Sequence, residues 1–394
     1  MYDEGYEYVL LFFTFSNMIN LGLLGIGRIG KIHLANVVRH FPGARVVAAM
    51  NPSEAGRSFA RSLNVPLVTD QADDVLNHPE VDAVLICTAT DAHADYVVAA
   101  ARAGKAIFCE KPLDLSLSKV KWTLDEVNKA GVPLMLAFNQ RLDPSFQEVK
   151  NAIVGGHIGE LRSIHIISRD PAPPPVTYIR SSGGLFLDMS IHDFDMARYL
   201  AGAEVEDVFA KGFNLVDPAI GEAGDIDTGY IVISFKNRVT ALIENSRQAS
   251  YGYDQRLEAF GSKGMVRAEN PLKTTTRFLD GNGVHLSRNL DFFIDRYADS
   301  YLLELSAFLD ALRENKPMPI TGEDGLQAML IALAANKSMQ ENRPVRIREV
   351  RKHPTAIEMR RYIYTVNRNE QLWTTQQTPN GTVRWNTGGV VTVG

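Results

Sequence analysis

Between Ile19 and about Asn151, short apolar runs alternate with segments of helical period, and this alternation constrains the fold more than any other feature. The runs are Asn20–Leu24, Arg45–Ala49, Val65–Val68, Ala83–Cys87, Ala106–Cys109 and Pro133–Phe138. Between them lie Ile29–Arg39, Glu54–Leu63, Ala92–Ala103 and Leu117–Ala130. Strands buried on both faces read as unbroken apolar runs, and the intervening helices supply the cover. The pattern predicts an α/β architecture built on a doubly wound parallel sheet. Gly43, Gly104 and Gly131 stand just past helical segments, where a left-handed residue ends a helix.

The first strand runs into Gly25-Ile26-Gly27-Arg28-Ile29-Gly30. Three glycines at this spacing mean little alone, but a strand before them and a helix after them make a dinucleotide cradle of Rossmann type. Gly25 permits the turn, Gly27 lets the backbone approach a pyrophosphate, and Gly30 brings the helix close to the strand. Arg28 and Ile29 lie at the helix N-terminus, which faces the negative charge. Cofactor choice depends on the end of the second strand, where a carboxylate would bond the ribose and repel a 2′-phosphate. Asn51 stands there, with Arg57 nearby. The reading is NAD, with NADP as the alternative. Arg57 reads equally as a solvated helix charge.

Ligands of open parallel sheets bind at the carboxyl edge of the strands. Thr88 follows the fourth strand there, and Glu110-Lys111-Pro112 the fifth. A Glu–Lys neighbour pair is commonly only a surface ion pair. Lys111, however, leaves a buried strand directly into the crevice, where it can stabilise charge growing on a substrate oxygen. Asp188 and His192 follow Gly183-Gly184 at the start of a helix expected from about Phe186 to Leu200. Four residues of separation puts them on one helix face, with Cβ atoms about 5–6 Å apart. His192 is the natural acceptor of an alcohol proton, and Asp188 either orients the ring or bonds the substrate. Asp193 and Asp195 make the segment acidic, but one histidine with carboxylates and no cysteine ligand is a poor zinc site. No metal is expected.

After Gly155-Gly156 the period changes to two. Val205–Val216, Gly229–Phe235, Arg238–Ser246, Gln255–Phe260 and Met265–Glu269 read as strands, with hairpin turns at Lys236-Asn237 and Gly261–Gly264. Helices are expected at Arg296–Arg313 and Thr321–Asn342, the second packing back on the first domain, with a last strand at Val345–Val350. The second half is therefore α+β with a large, mainly antiparallel sheet. The expected division is an extension over 1–17 and a dinucleotide-binding domain over 18–140. A substrate-binding and oligomerisation domain follows over 141–350, then a tail over 351–394.

At 394 residues the chain exceeds one ordinary core. A net charge of −5 leaves no excess cation to neutralise phosphates, which argues against nucleic acid as a partner. Cys87 and Cys109, the two cysteines, both follow apolar runs and read as inert core thiols in a reducing compartment. Tyr8–Phe15 is apolar but falls short of the ~20 residues of a membrane span. It also follows acidic residues instead of a basic n-region. A cytoplasmic protein without membrane contact is expected.

From about Asn20 to Val350 the chain resembles the glucose–fructose oxidoreductase and inositol dehydrogenase family. The resemblance rests on GIGRIG, on Glu110-Lys111-Pro112 and on GGLFLDMSIHDFDMARYL from Gly183 to Leu200. SRDPAPPP from Ser168 and the segment Tyr251–Asp254 point to the family's inositol 2-dehydrogenase branch. The resemblance implies that Lys111, Asp188 and His192 are the catalytic group and that Arg141, Asp195 and Tyr251 contact substrate. It also implies a homotetramer joined through the antiparallel sheets, and oxidation of a myo-inositol hydroxyl by NAD to 2-keto-myo-inositol. Asn51 departs from the acid usual in the family. The alternatives are a dehydrogenase of another inositol isomer, polyol or aldose, and a cofactor-binding regulator without chemistry. A regulator would have little use for Lys111, Asp188 and His192 together.

Overall fold

The structure, a computed structural model, describes residues 18–351 and, further along, the antiparallel strand pair Val383–Arg384 and Val390–Val391. The expected extension over 1–17 lies outside the described residues, as does the expected tail apart from Arg351 and that pair.

All six apolar runs of the first half are strands: β1 (Ile19–Leu24), β2 (Ala44–Met50), β3 (Leu67–Thr69), β4 (Ala83–Ile86), β5 (Ala106–Glu110) and β6 (Leu134–Ala137). They form one parallel sheet in the order β3-β2-β1-β4-β5-β6. The order reverses between β1 and β4, which opens a crevice at their carboxyl ends. Leu21, Leu23, Leu24 and Val84–Ile86 are wholly buried, as a sheet covered on both faces requires. The helices Arg28–His40, Glu54–Ser62, Thr90–Arg102 and Leu117–Ala130 supply that cover.

The second sheet has seven strands, and two of the sequence expectations change here. β7 (Leu161–Arg169), which the alternation did not single out, lies in the middle of it. With β8 (Val205–Phe213), β9 (Thr228–Phe235), β10 (Thr240–Ser246), β11 (Asp254–Gly261) and β12 (Met265–Ala268), it gives the order β12-β11-β7-β10-β9-β8, all antiparallel except β7 with β10. β13 (Arg277–Asp280) and β14 (Gly283–Leu286) form a separate exposed hairpin. The expected last strand over Val345–Val350 is shorter: β15 (Val345–Arg346) pairs with β8, and the chain then turns helical from Ile347 to Arg351.

Two helices fasten this sheet to the parallel one. Ser190–Ala201 lies against β7 and β10. Gly322–Glu341 starts with a capping box, Thr321 with Asp324, and packs on β8 and on Ser190–Ala201. It also touches β6 and the helix Leu117–Ala130, so it spans both sheets. Gly322 and Gly325 make that approach, since a Cβ on either would strike Leu124 or Leu136.

Candidate active site

The cradle is shaped by its glycines. Gly25 has φ +91°, and a Cβ there would lie 2.6 Å from the carbonyl oxygen of Cys87 on the neighbouring strand. A Cβ on Gly30 would come within 2.0 Å of the Gly25 carbonyl, so only glycine lets the helix start this close to the loop. At Gly27 nothing lies within 4 Å, which leaves open space on the side a pyrophosphate would approach. No side chain caps the helix at Gly27, so its first amides have no competitor for an anion. The residues present therefore fit a dinucleotide, held by the Gly25–Gly30 loop with exposed Arg28 and half-buried Ile29 at its lip.

Asn51 has a different local task from the one expected. Its Oδ1 accepts the Ile26 amide at 2.8 Å and its Nδ2 donates to the Ser53 hydroxyl at 2.8 Å. The side chain braces the glycine loop and is 9% exposed. Arg57 folds back to donate to the carbonyls of Asn51 and Pro52, and it pairs with Glu54 at 3.0 Å. Both side chains are thus engaged within the chain, and Glu54 lies beside the charge of Arg57. Thr88 lies just past β4, where His93, bonded to the carbonyls of Thr88 and Pro112, ties the two crevice loops together.

At the reacting end Lys111 leaves β5 through a cis peptide bond to Pro112. Its Nζ donates to the backbone carbonyl of Asp188 at 2.7 Å and lies 4.0 Å from the Asp188 carboxylate. Burial, and then the charge of Lys111, push the His192 imidazole well below its ordinary pKa. The ring is therefore neutral at pH 7, the state that accepts a proton. It stands edge-on to Phe138 at 5.8 Å, and its Nδ1 is buried without a partner among the described residues.

The four-residue spacing does not produce an Asp188–His192 pair. Asp188 ends a short turn, Leu185–Asp188, and Met189 separates it from the helix Ser190–Ala201. Met189 joins them with right-handed helical dihedrals, φ −94° and ψ −59°, and its amide bonds the Leu185 carbonyl at 2.9 Å, yet the Asp188 carboxylate points elsewhere. Oδ1 accepts from the Tyr178 hydroxyl at 2.8 Å and Oδ2 from Arg247 at 3.1 Å. Of the two roles expected for Asp188, ring orientation is thus corrected and contact with substrate is left.

Three residues carried over by resemblance have their polar atoms engaged with protein. Arg141 grips Asp195 through two bonds, 2.7 and 2.5 Å, both side chains being buried. Arg141 also meets Asp324 at the start of Gly322–Glu341, so the pair fastens that helix to the crevice. The Tyr251 hydroxyl lies between Arg169 and Asp254 on the second sheet. Glu110 turns inward, accepting from His33 at 2.9 Å. With Glu304 these two form the one group of candidate metal ligands among the described residues, their ligand atoms within 4.8 Å of one another. Burial and the neighbouring Glu110 push the Glu304 carboxyl well above its ordinary pKa. Phe108 and Tyr301 pack edge-on to the His33 ring. Asp193, the other acid of the segment, is anchored by Ser168 and Asn245 at 2.6 Å each.

Two family descriptions match the chain. Residues 19–138 match the NAD-binding Rossmann fold of the oxidoreductase family GFO/IDH/MocA, and residues 150–347 match its C-terminal alpha/beta domain. The chain belongs to this family. It is therefore an oxidoreductase with an NAD-binding domain. It is similar to the myo-inositol 2-dehydrogenase of Thermotoga maritima, 46% identical over 333 residues that cover 84% of this chain and 99% of that protein. The inositol 2-dehydrogenase of Rhizobium meliloti is 44% identical over 330 residues, again 84% of this chain and 99% of the relative. Among solved structures, the scyllo-inositol dehydrogenase of Lactobacillus casei with NAD(H) and scyllo-inositol superposes with a TM-score of 0.79 at 32% identity. That match covers 84% of this chain and 99% of that one.

Proposed function

We propose that the protein is an NAD-dependent inositol dehydrogenase that oxidises the 2-hydroxyl of myo-inositol to give 2-keto-myo-inositol. The observation that carries this reading is the gathering of Lys111, the Asp188 carboxylate and a neutral His192 at the sheet crevice. Similarity to inositol 2-dehydrogenases over 84% of the chain supplies the substrate class. His192 takes the hydroxyl proton as the C–H electron pair leaves as hydride. Lys111 donates to the same oxygen and stabilises charge growing on it. Asp188 accepts from an adjacent ring hydroxyl. NAD, when bound, supplies the nicotinamide C4 that receives the hydride. Scyllo-inositol is the second candidate, because the Lactobacillus casei relative binds it.

The division at residue 140 into a cofactor half and a substrate half follows the change from the parallel to the mixed sheet. A homotetramer is the proposed assembly. The second sheet leaves Tyr230, Leu242 and Phe260 between 42% and 46% exposed, an apolar face that a second copy would cover. We place the enzyme in the cytoplasm, in inositol catabolism. Among the described residues no helix is long and apolar enough to cross a membrane. The test is appearance of reduced-nicotinamide absorbance with myo-inositol, scyllo-inositol and glucose under NAD and under NADP. Myo-inositol with NAD is expected to give the highest kcat/KM. No signal with any polyol would contradict it.

A further inference from the structure

Arg247 stands just beyond β10, with its side chain 2% exposed and its amide donating to the Asp227 carbonyl at 2.8 Å. Carboxyls from three separate segments converge on its guanidinium. Asp188 lies at 3.1 Å, Asp225 at 3.9 Å and Asp170 at 4.0 Å. With Lys111 also 4.0 Å from Asp188, two cations face three partly buried carboxyls, which favours proton retention at the two acids farther from Arg247. Burial raises Asp170 to about 7 and moves Asp225 in the same direction. Asp188, the nearest of the three, is the acid that Arg247 pairs with.

The same cluster holds the turn itself. Asp225 Oδ1 accepts the amide of Leu185, the first residue of Leu185–Asp188, at 3.0 Å. Tyr178, from the preceding helix Val176–Ser182, fixes the second oxygen of Asp188. Two elements thus hold the two carboxylate oxygens, and rotation of the carboxylate would break one bond or the other. The arrangement also keeps Asp188 off His192, whose Nδ1 is left without a partner.

We propose that Arg247, assisted by Tyr178, is the positioning residue for Asp188, aiming its carboxylate at the polyol and away from His192. This rests on the inositol dehydrogenase reading above. Arg247 acts through Asp188, so its contribution vanishes when Asp188 no longer carries a carboxylate. Groups that work through one another give non-additive costs.

The experiment is a double-mutant cycle with Arg247→Gln, Asp188→Asn and the pair. It is read as kcat/KM for myo-inositol at saturating NAD and as polyol affinity of the enzyme–NADH complex. Arg247→Gln alone is expected to lower kcat/KM by roughly 10–100-fold, the scale of a misplaced group, mainly through KM. Bound-NADH fluorescence should show cofactor affinity unchanged, and Arg247→Lys should recover part of the loss. In the Asp188→Asn background the further loss should be no more than about twofold. Should Arg247→Gln fail to fold, Tyr178→Phe removes only one hydroxyl at a half-exposed site and runs the same cycle, with a smaller loss that again disappears without the carboxylate. An equal loss in both backgrounds, or no loss in either, overturns the proposal. A wild-type enzyme inactive on every polyol would defeat the functional reading itself. An active wild type with additive losses defeats only the role given to Arg247.

Discussion

In the proposed reaction, His192 owes its role to its environment. Burial and the nearby Lys111 disfavour imidazolium, which keeps the ring ready to take a proton at neutral pH. His192→Ala should lower kcat by roughly 10²–10⁴-fold, the usual contribution of a general base, with NAD affinity unchanged. Near-normal turnover would remove the assignment. The acids nearby behave oppositely. Burial raises Asp170 to about 7 and Asp193 to about 6, so the folded state retains protons that the unfolded chain releases near pH 4. Their contribution to stability is complete below pH 4 and is lost as pH rises through 6 to 7. Urea midpoints should therefore fall between pH 5 and pH 8, and Asp170→Asn should flatten that fall. An Asp170→Asn profile parallel to wild type would mean that Asp170 does not titrate in this window. Lys111, Asp188 and His192 were legible in the sequence because residue type and position at a strand end or helix start announce them. Arg247 and Tyr178 were not. Their role depends on where a guanidinium and a phenol meet the carboxylate across 59 and 10 residues of chain, and no local period encodes that.

Elements were legible where one period ruled. The strands of the parallel sheet appear in the sequence as apolar runs, because both faces are buried in all but the edge strand β3, which is half-buried. β7 was hidden although Ile164, Ile166 and Ser168 are buried at alternate positions, because a serine takes one inward place and Ile167 lies on the opposite face, which breaks the apolar alternation. The helix expected from Phe186 to Leu200 is present as Leu185–Asp188 and Ser190–Ala201, joined through Met189. Asp188 bonds Arg247 and Tyr178, and Asp225 takes the Leu185 amide, so tertiary bonds set where the side chain of Asp188 points. The close start of the first helix gives an element-scale prediction. A Gly30→Ala methyl would lie 2.0 Å from the Gly25 carbonyl, so the helix must lift from the strand. The cost should be about 1–3 kcal/mol, as for other overpacked sites. Thermal unfolding reads the cost, and NAD affinity should fall with it. Unchanged melting would show that the loop yields without cost.

For the whole molecule, the two sheets divide the work: the parallel one presents the cofactor cradle and Lys111, and the mixed one holds the turn that carries Asp188. The helix Gly322–Glu341 spans both, and the Arg141–Asp195–Asp324 ion network lies at its start. The outward face of the mixed sheet should close against a second copy. Sedimentation is expected to give four times the chain mass of 43.6 kDa, and a monomer at micromolar concentration would contradict the assembly. In the proposed reaction hydride leaves C2 of myo-inositol for NAD while His192 takes the hydroxyl proton. Its most direct test is oxidation of myo-inositol deuterated at C2, with the nicotinamide product analysed by mass spectrometry. Deuterated NADH is expected; unlabelled NADH, or none, would overturn the proposed reaction.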